Sequence, residues 1–238
     1  MDATVAWARG RFDRAQHLYE DAVSTALVDG DVWRAALAEA QLARLHRDRN
    51  EPDAARATAM RAIAHAEEVG EGLARGLAVH VLASVEERWG DQMLSERLAG
   101  EALIHHRRVG YSEGEASVLH LLGRLALDAQ DRDAARKAFE ESLRLCRRIG
   151  HPGGSAAALG GLANVAASAL DDERAGLLMG AASALRDEIG STLSGSELAE
   201  HLKERARLTE RLGSHGMEEL LRRGARLSID ELVEEQRR

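Results

Sequence analysis

The sequence is poor in cysteine, proline and aromatic side chains. Its 238 residues include one cysteine (Cys146), two prolines and only 3% aromatic residues. A lone cysteine excludes an intramolecular disulfide and a zinc site built from cysteines. Scarce proline and aromatic residues, beside abundant alanine, leucine, arginine and glutamate, favour helices over strands. The sequence therefore predicts an all-α fold.

Long apolar runs and an excess of basic residues are also missing. No apolar run approaches the roughly 20 residues that span a bilayer, and the N-terminus MDATVAWARG lacks the basic and apolar regions of a signal peptide. We therefore expect a soluble, cytoplasmic protein without a membrane partner. The formal charge of −8 disfavours direct binding to nucleic acid. We interpret the basic runs HHRR (105–108) and RLCRR (144–148) as solvated helix faces.

The chain does have a clear period of forty residues, which is marked by glycine. A glycine just past a helix accepts the left-handed conformation that ends it, and four of these glycines follow a β-branched residue, as in EEVG and RRIG. A second set of breaks has the same interval and precedes polar residues that can cap a helix. The pattern predicts two helices in each forty residues. The glycines are Gly30, Gly70, Gly110, Gly150 and Gly190, and the second breaks are Gly10, Asn50, Gly90, Gln130 and Leu170.

Apolar and small residues recur in the same register. Spacings of three and four keep each set on one helix face, and small residues in register let helices approach closely. The first helix of each pair carries Leu42, Leu82, Leu122 and Leu162. The second carries three sets, which are Ala15, Ala55, Ser95, Ala135 and Ala175, then Tyr19, Ala59, Ala99, Phe139 and Met179, and then Ala22, Ala62, Ala102, Ser142 and Ala182.

The unit around residues 111–150 resembles the tetratricopeptide repeats (TPR). The residues that carry this resemblance are Leu119, Leu122 and Gly123 on the first helix and Ala135, Phe139 and Ser142 on the second. The resemblance implies a right-handed α-solenoid of stacked helical hairpins, a TPR-like superhelix. The units are longer than the usual repeat of about 34 residues, and His46, Glu86, Ala126 and Ala166 replace the aromatic residue expected late in the first helix. These departures imply longer helices with thinner packing.

The forty-residue unit is similar to the sensor repeats of large bacterial signal-transduction (STAND) ATPases and LuxR-type regulators. The closing segment, from AGLLMGAASALRDEIG at 175–190 to LSIDELVEEQ at 227–236, resembles that of actinobacterial members. This resemblance implies the non-catalytic sensor part of a transcriptional regulator, whose partners include the other domains of that regulator. The first helix starts halfway through its expected length, so we expect the chain to be a piece of a larger protein; the alternative is that its first helix is unusually short.

This periodicity divides the chain into repeats and a cap. We predict a partial repeat at 1–30, full repeats at 31–70, 71–110, 111–150 and 151–190, and a C-terminal helical capping region at 191–238. Repeats bury their apolar faces only against neighbours, so a polar cap is expected at a free end.

The candidate binding residues lie on the first helices, which line the inner surface of such a solenoid. Two equivalent positions four residues apart carry Ala40, His80, His120 and Gly160, and then Arg44, Ser84, Arg124 and Asn164. The six polar ones, Arg44, His80, Ser84, His120, Arg124 and Asn164, predict an inner strip that binds an anion or a carboxylate. The alternative is that they are solvated groove residues or local ion-pair partners. We expect no metal, because His80 and His120 lack a third ligand, and no cofactor.

The tryptophans fall at non-equivalent positions, so the common core does not require them. Trp7, Trp33 and Trp89 are candidates for contact with a partner protein, another domain or a second copy in a homodimer; the alternative is that they fill gaps between helices.

We expect His105 and His106 at the surface and Cys146 to be a small, partly packed residue. No phosphate loop or strained nucleophile turn is present, which predicts that the chain is not an enzyme. Its ligand would be a protein, a peptide or a small effector. The competing hypothesis is a free-standing adaptor or a self-associating scaffold.

Overall fold

The computed structural model describes residues 3–70, 72–190 and 195–234. Within these ranges the chain forms twelve helices and no strand, and none of the helices combines the length and the apolar character needed to cross a bilayer. The helices are α1 Ala3–Ala8, α2 Phe12–Val28, α3 Val32–Asp48, α4 Pro52–Glu68, α5 Gly72–Trp89, α6 Gln92–Val109, α7 Ser112–Asp128, α8 Arg132–Arg148, α9 Pro152–Ser168, α10 Asp172–Glu188, α11 Gly195–Gly224 and α12 Ile229–Glu234.

The helices are grouped in two compact units, Met1–Leu121 and Leu122–Arg238, and the boundary between them falls inside α7. In the first unit each helix from α1 to α5 packs on the next one in the chain, and α3 also packs on α5. In the second unit α8 packs on α9, α9 on α10, and α10 on α11. The antiparallel helical hairpin is therefore the building block of both units.

Glycine ends the second helix of each pair, as the period predicts. Gly30, Gly70, Gly110, Gly150 and Gly190 all have a positive φ, between 62° and 71°. Of the second set of breaks, Gly10, Asn50, Gln130 and Leu170 are also left-handed. Gly90 does not share this conformation; the side chain of Glu86 folds back beside it and accepts a hydrogen bond from the backbone N–H of Asp91 at 3.3 Å.

The β-branched residue before the glycine has a packing role. Val109 lies over Gly72, whose Cβ, if it had one, would meet the Val109 Cγ1 at 2.9 Å. Ile189 lies in the same way over Gly153, at 3.7 Å. The end of a second helix thus covers the start of the first helix of its own pair, which explains why VG and IG recur.

Aspartates cap several helices, as predicted. The carboxylates of Asp31, Asp91, Asp131 and Asp171 each accept a hydrogen bond from a backbone N–H two or three residues later. Such a cap satisfies one of the donors that a helix start leaves open. Pro52 begins α4, where its missing N–H costs nothing.

The small and large residues of the second helices are buried in register. All members of the sets that begin at Ala15 and Tyr19 are buried. The largest that is fully buried is Phe139, which contacts Gly123 of α7 and Gly161 of α9. Ala22 is the exception among the third set; it is exposed, and the α1 beside α2 is only six residues long.

Buried carboxylates form ion pairs between consecutive helices. Glu39 of α3 is only 2% exposed, and its carboxylate contacts Arg61 Nε at 3.0 Å and His65 Nδ1 at 2.8 Å, both on α4. Glu86 of α5 accepts a hydrogen bond from Arg56 Nε of α4 at 2.7 Å. At position 86, the ion pair between Glu86 and Arg56 therefore takes the place of the aromatic residue that is usual in the repeat.

The C-terminal helices cover α10. Gly213, with φ 74° and ψ 156°, interrupts α11, and its second half lies so close to α10 that Gly180 contacts the backbone of Leu221 and Gly224 contacts that of Leu177. Leu208, Met217, Leu220 and Leu232 join the buried core of the second unit. The start of α12 is fixed by a capping box, in which Ser228 and Glu231 hydrogen-bond each other reciprocally.

Glycine at position 180 is required by this backbone contact. We expect Gly180→Ala to destabilise the protein by about 1–3 kcal/mol, because the new methyl group meets a carbonyl that no rotamer change can move. Gly100→Ala is the matched control, since Gly100 lies inside α6 with nothing near its Cβ position; it should stabilise by about 0.5–1 kcal/mol. Urea unfolding monitored by circular dichroism measures both. Equal effects of the two substitutions would contradict the close helix contact.

Candidate functional site

The predicted inner-strip residues all lie on first helices and are all partly buried. Arg44 is on α3, His80 and Ser84 on α5, His120 and Arg124 on α7, and Asn164 on α9. Arg44, His80, Ser84 and His120 belong to the first unit, and Arg124 and Asn164 belong to the second. In the first unit α3 packs on α5, and the charge of Arg44 on α3 acts on His80 of α5.

Arg44 is a partly buried cation that makes no ion pair with a described carboxylate, and Asp48 and Glu113 act on it only at longer range. Its Nη1 donates a hydrogen bond to the Gln41 side-chain oxygen at 3.1 Å, and its guanidinium lies 5.2 Å from the ring centroid of Trp7. Among the described residues, no carboxylate lies within 4 Å of this guanidinium. Burial lowers the pKa of Arg44, and the neighbouring Arg47 lowers it further, but an arginine stays charged at neutral pH.

His80 is held neutral beside this cation. Burial lowers the pKa of His80 well below its usual value, and the positive charges of Arg47 and Arg44 and the ring of His106 act in the same direction. Ser84 is not available as a free donor, because its hydroxyl already donates to the backbone carbonyl of His80 at 3.0 Å. A residue bonded to its own helix in this way contributes little to ligand recognition.

His106 is buried, so the expectation of a surface position is wrong. It is 0% exposed, and its ring packs edge-on against His80, with centroids 6.1 Å apart, and against Tyr111, at 5.3 Å. Gly76 and Gly114 make room for the ring, since a Cβ at either would lie within about 3 Å of it. The alignment with Ala26, Ala66 and Cys146, which are all buried, is the signal that could have predicted this. His105 is partly buried.

The buried ring of His106 makes no hydrogen bond with the described part of the chain. Neither of its nitrogens contacts a donor or an acceptor among the described residues, and burial, together with the charge of His105, lowers its pKa to about 4. A buried polar group without a partner is rare in folded proteins and calls for a physical explanation. We refer to Arg44, His80, His106 and Tyr111 together as the Arg44–His80 site.

The three tryptophans differ in exposure. Trp33 is 45% exposed at the start of α3, so its ring is accessible in the first unit. Trp7 and Trp89 pack against buried clusters and are each covered by an arginine, Arg44 and Arg88 respectively. Trp7 and Trp89 therefore fill space between helices, whereas Trp33 presents apolar surface.

Two further candidates are the thiol of Cys146 and a metal site. Cys146 is buried against Gly154, as expected of a small, packed residue. Within residues 3–70, 72–190 and 195–234, no three histidine, cysteine or acidic side chains are grouped so that they could hold a metal ion.

Comparison with known proteins identifies the fold. No protein-family model matches the sequence, and no curated protein matches it significantly. Among solved structures, BtubC (BKLC) from P. vanneervenii is similar, with a TM-score of 0.66 and 17% identity over 95% of this chain and 92% of that chain. A putative kinesin light chain from Podosopora anserina, with nearly identical TPR-like repeats, has a TM-score of 0.55, with 16% identity over 80% of this chain and 94% of that one. A substituted form of the same protein has a TM-score of 0.57 at 15% identity, over 79% of this chain and 92% of that one.

The chain therefore has the fold of the TPR-like helical-repeat proteins. The predictions of an all-α fold and of TPR-like helical hairpins are confirmed. These likenesses lie below 20% identity and concern the fold alone.

The low pKa of His106 predicts a loss of stability in acid. The folded pKa, about 4, lies below the unfolded value of 6.5, so the unfolded chain binds the proton first as the pH falls. Stability is lost from pH 6.5 downward until the folded pKa is reached, and the total loss from this residue is about 3 kcal/mol.

We expect His106→Leu to remove that share of the pH dependence. At pH 7 the variant should be at least as stable as the wild type, because the unpartnered polar ring is gone. Urea unfolding at pH 7 and pH 4 measures the difference. The control is His17→Gln, at an exposed position of α2. A His106→Leu variant that keeps the wild-type loss between these pH values would show that His106 is not buried as described.

Proposed function

We propose that the chain is a non-catalytic binding module that recognises a protein, a peptide or a small effector through its first helices. The observation that carries this proposal is the partly buried guanidinium of Arg44, which has no carboxylate partner among the described residues and lies beside the neutral His80. Leaving a partly desolvated cation without a counter-ion is unfavourable, so a ligand with negative charge would gain affinity there. The TPR-like fold supports the proposal, because stacked repeats offer extended surfaces for binding.

We further propose that the module is the sensor of a bacterial transcriptional regulator of the STAND or LuxR type and acts in the cytoplasm. The support is the sequence resemblance of the forty-residue units and of the closing segment. In this proposal 1–190 contains the repeats, with boundaries near residues 30, 70, 110 and 150, and 191–238 is the cap. A ligand would act by binding one arrangement of the hairpins more tightly than another, since only differential affinity shifts such an equilibrium.

The complete reading frame around this sequence tests the regulator proposal. An ATPase module encoded in the same frame supports it. A start and a stop codon at the limits of this chain would overturn it and favour an adaptor.

Site-specific crosslinking tests the binding proposal. A photoreactive benzoylphenylalanine at Ser84, beside His80 on α5, should capture the partner in source cells. The same group at Met60, which is 61% exposed on α4, should not capture it. Adding Arg44→Gln to the Ser84 variant should reduce the adduct at least tenfold, because the ion pair is lost.

Two results would contradict this proposal. One is an adduct from Met60 as strong as that from Ser84. The other is the absence of any adduct at Ser84 when the protein is folded, as judged by its circular dichroism spectrum.

A self-associating scaffold is the second candidate function, and the exposed Trp33 favours it. An exposed tryptophan is a frequent anchor of protein interfaces, and Val28, at the end of the preceding helix, is 85% exposed. If Trp33 holds a homodimer together, Trp33→Ala should convert a dimer to a monomer in sedimentation velocity at micromolar concentration. Trp89→Ala is the control, because Trp89 is covered by Arg88. A wild-type chain that stays monomeric at 100 times the concentration of that experiment would contradict the scaffold function.

A further inference from the structure

The Arg44–His80 site combines a cation that makes no ion pair among the described residues with two imidazoles that are neutral at pH 7. We propose that this site binds a carboxylate together with one proton, with the guanidinium of Arg44 making the ion pair and the ring of His80 accepting the proton. The inference rests on the proposed binding function, to which it adds the chemical class of the ligand and a coupling between binding and pH.

Arg44 has the donors that a carboxylate needs. An arginine carries five N–H donors, whose planar fork matches the two oxygens of a carboxylate. Only one acceptor among the described residues, the Gln41 side-chain oxygen, occupies this fork. Trp7 covers a face of the guanidinium, so the group is held in place while its other donors stay unused. A carboxylate would therefore meet a cation that is already positioned.

Burial is the main reason that His80 is neutral, and the charged groups that act on it disfavour its protonated form as well. Arg44 and Arg47 of α3 are positive, and His106 of α6 is a second imidazole. The ion pairs that α4 makes with α5 involve Glu86 and Arg75 rather than His80, and Glu113 at the start of α7 acts on Arg44 and Tyr111. Among the described residues, no carboxylate lies within 4 Å of the imidazole.

A bound carboxylate changes this balance. Its negative charge offsets the positive charges of the arginines, and it accepts a charge-assisted hydrogen bond from a protonated imidazole. The pKa of His80 is therefore higher in the complex than in the free protein. By linkage, each complex takes up at most one proton, and affinity rises as the pH falls through the pKa that His80 has in the complex.

His106 connects the proton uptake at His80 with the second helix of the pair, α6. Its ring contacts that of His80, and Gly76 and Gly114 enclose it, so it has little space to move away. A charge on His80 would act directly on a buried ring of α6. The ring of His106 stays neutral in the complex, because two adjacent imidazolium ions repel each other.

Calorimetric and NMR titration of the full chain tests the proposal. The probe is succinate, added at pH 7.5 and pH 5.5 at constant ionic strength. We expect at least fivefold tighter binding at pH 5.5, and an upward shift of at least one unit in the NMR-measured pKa of His80 at saturating succinate. Calorimetry in two buffers of different ionisation enthalpy measures the protons taken up, after subtraction of those that succinate itself carries or releases at pH 5.5.

Four variants separate the contributions of the residues. Arg44→Gln should lose at least tenfold in affinity, and His80→Gln should keep binding at pH 7.5 but lose its pH dependence. His106→Leu should keep the proton uptake, which is assigned to His80, but should move it to higher pH, because the ring that disfavours a charge on His80 is gone. The control is Arg97→Gln on the exposed face of α6, which should bind as the wild type does. Circular dichroism of each variant shows whether it is folded.

A second pair of probes distinguishes the source of the carboxylate. An acetylated dipeptide with a free C-terminal carboxylate is compared with its amide, and both are compared with succinate. Tighter binding of the dipeptide acid than of succinate identifies a peptide terminus as the ligand group, and the reverse order identifies a small dicarboxylic acid. Both orders support a carboxylate site, whereas equal binding of the acid and the amide overturns it.

Three further results would overturn the proposal. They are no binding of succinate or of the dipeptide acid up to 50 times the protein concentration at either pH, unchanged affinity in the folded Arg44→Gln variant, and equal affinity at the two pH values. The proposed binding function is tested separately by the Ser84 crosslink. A crosslink that persists in His80→Gln, beside a pH-independent affinity, would leave the binding function standing and reject only the proton coupling.

Discussion

The packing of second-helix side chains against glycines of neighbouring first helices is the constraint on which both units depend. Phe139 is fully buried against Gly123 and Gly161, and His106 is buried against Gly76 and Gly114. Protein interiors are as dense as organic crystals, so a large ring fits only where its neighbours lack a Cβ. The distribution of glycine on the first helices therefore decides which second-helix residue can be large.

The same constraint explains how the fold accepts polar groups in its interior. Glu39, Glu86 and His46 are buried, and each lies against a partner of complementary chemistry. Removing one member of such a pair would leave a buried charge alone, which is strongly unfavourable. His106 and Arg44 differ, because neither has an ion-pair partner among the described residues, and both lie in the first unit around His80. The first unit therefore carries a local electrostatic cost that must be offset by its apolar packing.

Periodicity predicts the backbone well and the side-chain partners poorly. The glycines at intervals of forty residues end the helices as predicted, because the left-handed conformation depends on one residue and its immediate neighbours. For His106 the two signals disagree. A histidine usually lies at the surface, whereas the register of the repeat places this position in the core. Gly76 decides in favour of the core, since the equivalent positions are alanine (Ala36, Ala116 and Ala156) and the missing methyl group leaves space for a ring. Contacts between helices, such as Arg44 over Trp7, depend on crossing angles and rotamers, and a period in the sequence fixes neither. The sequence thus predicts which helix face carries the candidate site, but it does not predict the charges around each residue of the site. Whether a charged residue has an ion-pair partner depends on its neighbours in three dimensions.

Contact between the rings of His80 and His106 joins the layer of first helices to α6. Gly76 and Gly114 enclose the His106 ring, so a change in charge at His80 cannot be relieved by moving that side chain alone. The field would act instead on the packing of α6 against α5, which are neighbours in one hairpin. The dense packing around the His106 ring leaves little room to absorb such a change locally. A binding module needs this property if binding at a first helix is to change the packing of the second helix of the same pair.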